Sequence, residues 1–319
     1  MSALACAEPD EPSTQETFLY TAPMVPFLHF GRLLVPTFGL MIAAAMGVAY
    51  SVLRADFARR GLAAKDSTTA EMFVAVPALC GIVGAKLYHV LETPRELLAD
   101  PLGQLFSRYG LAWFGGLIAG FAAFVWLARR FRYSLLEVFD AGSAAAAVGY
   151  GVGRIGCLLS GDGDYGVPTS LPWGMSFPNG LVPTTERVHP TPIYELIVAC
   201  AIALILWKLG SLQILSGWIG KTTTASKEVR VQVAEAGRAF ASPQLPSKHW
   251  NAKLWLRPGS VFAAYLILTG VARFLVEFIR INPRSFFGLT NAQAASLASI
   301  IAGAALWVAV SRESLPGSH

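Results

Sequence analysis

The chain has 319 residues, of which 54% are hydrophobic and only 14% charged, and its mean hydropathy is +0.50; an ordinary soluble chain carries roughly 25% charged residues. This composition is that of a membrane protein. The formal net charge of +5 is spread through short loops instead of gathering in one stripe, which argues against a nucleic-acid partner and for contact with membrane lipids.

Residues 1–30 include the acidic run "EPDEPSTQE" and lack a basic stretch ahead of an apolar one, so no secretory signal peptide is expected there and the segment reads as an extracytoplasmic N-terminus. A helix needs roughly 20 apolar residues to cross about 30 Å of hydrocarbon. Runs of that kind, bounded by charge or proline, fall at 33–53, 71–92, 110–128, 136–159, 193–209, 258–280 and 292–311. The fourth is the least greasy and is rich in Ala and Gly, as suits a helix packed inside a bundle. Lys and Arg concentrate in the first, third and fifth loops, among them Arg59, Arg60, Arg129, Arg130, Lys221 and Lys248. Basic loops stay in the cytoplasm, so the N-terminus is expected outside and the C-terminus inside.

The expected fold class is therefore an all-α polytopic membrane protein of about seven transmembrane helices. Its expected divisions are 1–30, the first five helices over 31–209, a polar cytoplasmic insert over 210–256, and the last two helices with the tail over 257–319. Most of the insert reads as linker, with a short strand where valines alternate in "EVRVQVAEA". Of the four cysteines, Cys80, Cys157 and Cys200 lie in apolar stretches; with Cys6 they show no CxxC spacing, so neither a disulfide framework nor a zinc site is indicated.

Polar residues inside such spans are costly and mark function or an internal ion pair. With the orientation above, Arg154 lies near the outer end of the fourth span and "SGDGDYG" enters the loop beyond it. Arg273 and Glu277, spaced i and i+4, share one face of the outer half of the sixth span. "HPTPIYE", from His189 to Glu195, opens the fifth span at the same level, and "WFGG" opens the third. Arg154 alone is as readily an interfacial arginine that snorkels, and Arg273 with Glu277 a structural pair; their convergence favours a site. His189 reads first as a loop residue, and Tyr194 and Glu195 as an interfacial anchor and a helix-start carboxylate. Two G-x-G-x-x-G matches, at 151–156 and 161–166, lack the strand–helix setting of a dinucleotide site. Gly116 and Gly120, four apart, are more naturally a close helix contact. "DGDYG" lacks the remaining ligands of a calcium loop.

"GRIGCLLSGDGDYG" (153–166), "HPTPIYE" and "RFLVEFIR" (273–280), in order with "FGLM" (38–41) and "FGGLIAG" (114–120), resemble the bacterial prolipoprotein diacylglyceryl transferases across nearly the whole membrane part. The resemblance implies a seven-helix enzyme of the bacterial inner membrane with its active site on the extracytoplasmic side. Such enzymes move the diacylglyceryl group of phosphatidylglycerol to the lipobox cysteine thiol of a prolipoprotein, forming a thioether and releasing glycerol phosphate. The family's catalytic positions fall on Arg154, Asp162, Arg273 and Glu277. Gly115, Gly116, Gly156, Gly166, His189, Tyr194 and Glu195 become substrate-binding candidates. The implied partners are phosphatidylglycerol, prolipoprotein signal peptides and membrane lipids, with no metal and no cofactor; a monomer suffices. Arginines suit a leaving phosphate because their forked donors hold its growing charge, and Glu277 is expected to orient Arg273.

The chain departs from the family pattern at three polar positions: Phe114 stands for a histidine, Phe38 for a tyrosine and Cys157 for an asparagine. These departures raise the alternative of a phospholipid-binding relative that no longer transfers the lipid. A transporter is disfavoured, because no inverted repeat is evident and the polar set clusters at one membrane face.

Overall fold

A computed structural model describes residues 24–31, 33–62, 68–106, 112–236, 256–284 and 288–312. It is mostly helical. An antiparallel hairpin, β1 (Phe27–Phe30) and β2 (Leu33–Pro36), leads into α1 (Thr37–Arg60). There follow α2 (Thr68–Glu92), the short α3 (Pro94–Ala99) and α4 (Pro101–Phe106), α5 (Trp113–Arg130) and α6 (Leu135–Ser160). A second antiparallel pair, β3 (Met175–Phe177) and β4 (Thr184–Val188), precedes α7 (Thr191–Ala236), α8 (Ser260–Val276) and α9 (Asn291–Arg312).

The centre of the bundle is α6, which touches α1, α7 and α8. Its composition explains this position. Lipid tails supply no hydrophobic drive between helices, so close backbone approach must supply the attraction, and small residues permit it. Ala141, Ala144, Ala145 and Ala147 are all buried; Gly149 lies against Ala45 and Ala49 of α1, and Gly151 against Leu196 and Ala199 of α7. The Ala- and Gly-rich run expected inside a bundle is thus its innermost helix.

The same logic joins α2 to α5. A Cβ at Gly84 would come 2.6 Å from the carbonyl oxygen of Gly115, and one at Gly120 would come 3.1 Å from that of Pro77. The stripe Gly115, Gly116 and Gly120 is a helix–helix contact, as the four-residue spacing foretells.

Among the described residues, five helices are long and apolar enough to cross a membrane: α1, α2, α6, the Thr191–Leu215 part of α7, and α9. At 1.5 Å per residue, the 18 residues of α5 and the 17 of α8 reach only about 26 Å. The sixth expected span ends at Val276 instead of 280. The fifth is longer than expected: α7 runs on as helix to Ala236, through the stretch where linker and a strand were anticipated. No proline falls between Pro192 and Pro243, and the isolated glycines of that stretch each cost only about 1 kcal/mol in a helix. Cys6 and the remainder of the insert, 237–255, lie outside the described residues.

At the end of the bundle far from Arg154, a buried polar chain fixes helix register. Asp140, fully buried near the start of α6, accepts hydrogen bonds from the backbone N–H groups of Gly259 and Phe262, both at 2.7 Å, and so caps α8 from another helix. Gln213 of α7 donates to the same carboxylate at 2.7 Å and accepts from Arg60 of α1 at 2.6 Å. Four helices are tied through one carboxylate, whose charge also suits the positive end of α8.

Candidate active site

Near its C-terminal end, α6 carries Arg154, and Gly161 closes the helix in the left-handed region (φ 56°). The chain then makes a glycine-punctuated turn, with Gly163 at φ 91°, and returns beside α8: Val167 donates to the carbonyl of Ile279 at 2.8 Å. A Cβ at Gly166 would come 2.5 Å from that carbonyl oxygen, so glycine is required for the two segments to meet. This return brings the loop aspartates and the end of α8 over the C-terminal end of α6, where α7 begins.

Three arginines and three carboxylates interlock there. Glu195 of α7 is the hub. Arg154 reaches its Oε2 with both Nε and Nη2 at 2.5 Å; Arg273 donates to Oε1 at 2.7 Å; the Tyr150 hydroxyl donates to Oε1 at 2.9 Å. Arg280 Nη1 stands 3.5 Å from Oε2. Asp164 bridges the other side, its Oδ2 accepting from Arg154 Nη1 at 2.5 Å and its Oδ1 from Arg280 Nη2. Glu277, whose side chain has no exposure, pairs with Arg273 Nη2 at 3.1 Å and accepts from Asn282 at 2.5 Å. Ionised partners and forked donors make these strong interactions, and the low local dielectric makes each unpaired member costly.

The two arginines singled out from sequence are therefore joined, through Glu195. Glu277, expected to orient Arg273, is paired with it, and its burial keeps it from the open side of the cluster. Glu195, anticipated as a helix-start carboxylate, is the residue that unites α6, α7 and α8. Arg280, Asp164, Tyr150 and Asn282 were not foreseen. Arg280 was nevertheless legible: 273, 277 and 280 fall at i, i+4 and i+7, one helical face.

Asp162, the acid selected from the sequence, does not make the arginine contact; Asp164 does. Asp162 instead faces the Cys157 thiol and accepts the backbone N–H of Asp164 at 3.2 Å. Burial pushes the Asp162 carboxyl above its ordinary value, with the neighbouring Asp164 charge adding to the effect. Burial acts on Asp164 in the same sense, but Arg154 and Arg280 outweigh it and hold that carboxyl below the ordinary value.

The glycine candidates have structural roles here. Gly115 and Gly116 are pressed against α2, and Gly156 against Met41 and Phe38 of α1. His189 and Tyr194 form a polar chain with Trp173. The indole N–H of Trp173 donates to the Tyr194 hydroxyl at 2.7 Å, and that hydroxyl lies within hydrogen-bond distance, 3.2 Å, of Nδ1 of His189. Of the three departures from the family pattern, Phe38 and Phe114 are exposed, and Cys157 receives a hydrogen bond from Arg154 Nη1 at 3.1 Å. Ligand atoms of Cys157, Asp162 and Asp164 lie within 4.8 Å of one another. Arg154 Nη1 donates to two of the three, Cys157 and Asp164.

A helical membrane protein with a buried arginine–carboxylate lattice at one end of its bundle is the class that this fold and site define. The sequence profile described as prolipoprotein diacylglyceryl transferase matches residues 26–222 and 245–309. Similar proteins named phosphatidylglycerol–prolipoprotein diacylglyceryl transferase include one from Clostridium tetani, 27% identical with 83% of this chain and 89% of the relative covered. Another, from Gloeobacter violaceus, is 27% identical over 90% and 93%. One from Geobacter sulfurreducens is 33% identical over 58% and 70%. The chain belongs to the prolipoprotein diacylglyceryl transferase family.

Proposed function

We propose that the protein transfers the diacylglyceryl group of phosphatidylglycerol to the lipobox cysteine of a prolipoprotein. The observation that carries this reading is the junction of Arg154 and Arg273, from two helices, on the one buried carboxylate of Glu195. Attack of the acceptor sulfur on the glyceryl carbon forms a C–S bond and breaks the C–O bond to phosphate. The bonding pair passes to the phosphate oxygen, and the thiol proton ends on the released glycerol phosphate. Charge thus grows on phosphate oxygens in the transition state, where preorganised guanidinium groups are most effective. Glu195 and Glu277 hold those groups in place before the lipid arrives. Family membership supports the same chemistry, and the reaction needs no cofactor.

In this reading α5 and α8 complete seven spans together with the five longer helices, the basic loops face the cytoplasm, and the arginine lattice opens toward the extracytoplasmic side of a bacterial inner membrane. Arg154, Arg273 and Arg280 stand nearest the lipid phosphate, and Glu277 and Glu195 act as positioning residues. Asp162 and His189 flank the site at its mouth. One copy supplies the whole lattice, so a monomer is sufficient.

The test is complementation of a strain depleted of its own diacylglyceryl transferase, reading the mass of a reporter lipoprotein. A diacylglyceryl-sized increase with the wild type, lost in Arg154→Ala and in Arg273→Ala while both remain in the membrane, is the expected result. Full activity of both variants would overturn the assignment. No increase with membrane-inserted wild type would favour a phospholipid-binding relative.

A further inference from the structure

We infer that Asp164 is an internal stand-in for the substrate phosphate: its carboxylate occupies the seat between Arg154 and Arg280 and is displaced into water when a phosphate oxyanion binds. This inference rests on the transferase reading for the identity of the lipid, but its own basis is the geometry of the lattice.

Three features of the lattice single out this carboxylate. The first is stereochemical. The two oxygens of Asp164 are held by two different guanidinium groups, Oδ2 by Arg154 and Oδ1 by Arg280. A phosphodiester also presents two unesterified oxygens, and guanidinium donors accept either anion in the same forked manner. The second is charge. Arg154, Arg273 and Arg280 balance Glu195, Glu277 and Asp164, so adding a phosphate to the intact lattice would bury an uncompensated negative charge. Neutrality returns when one carboxylate leaves.

The third is access. The side chains of Glu195 and Glu277 are 5% and 0% exposed, against 30% for Asp164. Only Asp164 has a short way into solvent, where its charge is cheaply solvated. Gly161 and Gly163, both at positive φ, lie on its N-terminal side. Leaving the seat breaks the bonds to the two arginines and loosens two weaker ties, the Asp164 N–H to Asp162 and the Thr191 hydroxyl to the Asp164 carbonyl.

An occupant that must first leave weakens apparent affinity by the fraction of time for which the seat is open. If the seat is open about a tenth of the time, removing the carboxylate tightens phosphate binding about tenfold. The experiment titrates inorganic phosphate into the full-length protein in detergent by calorimetry, comparing wild type with Asp164→Asn and Asp164→Glu. Asp164→Asn is expected to bind about tenfold more tightly, and Asp164→Glu no more tightly than wild type. Unchanged or weaker binding by a folded Asp164→Asn protein would overturn the inference.

Parallel titrations with nanodiscs of phosphatidylglycerol, set against phosphatidylcholine, separate the lipid headgroup from free phosphate as the natural occupant. Hydrogen exchange of the wild type tests displacement even where the variant does not fold: saturating phosphate should speed exchange across 161–165, and slowed or unaltered exchange there would refute it. Failure of the transferase reading is separable. A wild type without transfer activity whose Asp164→Asn variant binds phosphate more tightly overturns only that reading. An active wild type with no gain in Asp164→Asn overturns only the internal-anion inference.

Discussion

Glu195→Gln tests the lattice at its hub. The change preserves shape but removes one negative charge, and it turns one acceptor oxygen into an N–H₂ donor. Whichever way the amide lies, that donor faces other donors: Tyr150 and Arg273 on one side, or Arg154 and Arg280 on the other. Removing one partner of a buried ion pair costs about 3–5 kcal/mol. Here Arg154 keeps Asp164 and Arg273 keeps Glu277, so the expected loss is near the lower end, about 3 kcal/mol. Were Glu195 only a carboxylate favoured by the start of α7, the loss would be about 0.3–1 kcal/mol. The two arginines would also lose their common support, and a misplacement of about 1 Å costs on the order of 10²-fold in rate. Unfolding of the purified protein in detergent, with transfer to a fluorescent lipobox peptide measured in parallel, distinguishes the cases. A variant with stability within about 1 kcal/mol of wild type and transfer rate unimpaired would refute the hub role.

Three further outcomes are expected. Asp140→Asn leaves a neutral cap on α8 and breaks the match with Gln213, so thermal unfolding in detergent should show a loss of about 1–3 kcal/mol, larger than for an exposed control such as Glu186→Gln. Gly115→Leu forces α2 and α5 apart and should lower the yield of folded protein, which size-exclusion chromatography after extraction will report; Gly153→Ala, where a Cβ meets open space, should not. The third concerns acidity. Because the folded state raises the Asp162 carboxyl above its ordinary value of 3.8, ionising it costs stability, and that cost grows as pH rises from 3.8 through the folded value. Asp162→Asn should therefore stabilise the protein at neutral pH and lose this advantage below pH 3.8. Asp164 has the opposite sign: its contribution is present above 3.8 and fades as pH falls through its lower folded value, so Asp164→Asn should cost most at neutral pH.

The apolar runs were legible because hydrocarbon thickness dictates how many apolar residues a span needs; each coincides with a helix over most of its length, and among the described residues five of those helices are long and apolar enough to cross a membrane. Their ends were less legible. The last turn of the sixth run, from Glu277 onward, leaves the helix because Val167 takes up the Ile279 carbonyl, a partner more than a hundred residues away in the chain. The helical course of α7 past Leu215 was hidden for the converse reason: the alternating valines of "EVRVQVAEA" satisfy strand periodicity, while the absence of proline leaves the helix free to propagate.

At the site, the sequence by itself singled out Arg154 and Arg273 as arginines at one end of the bundle, since burial of a charge in a span demands a partner and the i, i+4 spacing sets Glu277 beside Arg273. It also determined that α6 would be the central helix, because only a run of Ala and Gly lets three neighbours approach closely. Tertiary structure alone decided which carboxylate each arginine meets. Asp162 and Asp164 are two residues apart and chemically alike, and two glycines at positive φ turn one toward Cys157 and the other toward Arg154. Glu195 meets both Arg154 and Arg273 through the relative rotation and register of α6, α7 and α8. Those are set by small-residue contacts and by the Asp140 cap at the far end of the bundle, and no local pattern within any one helix encodes the distance between side chains on two others.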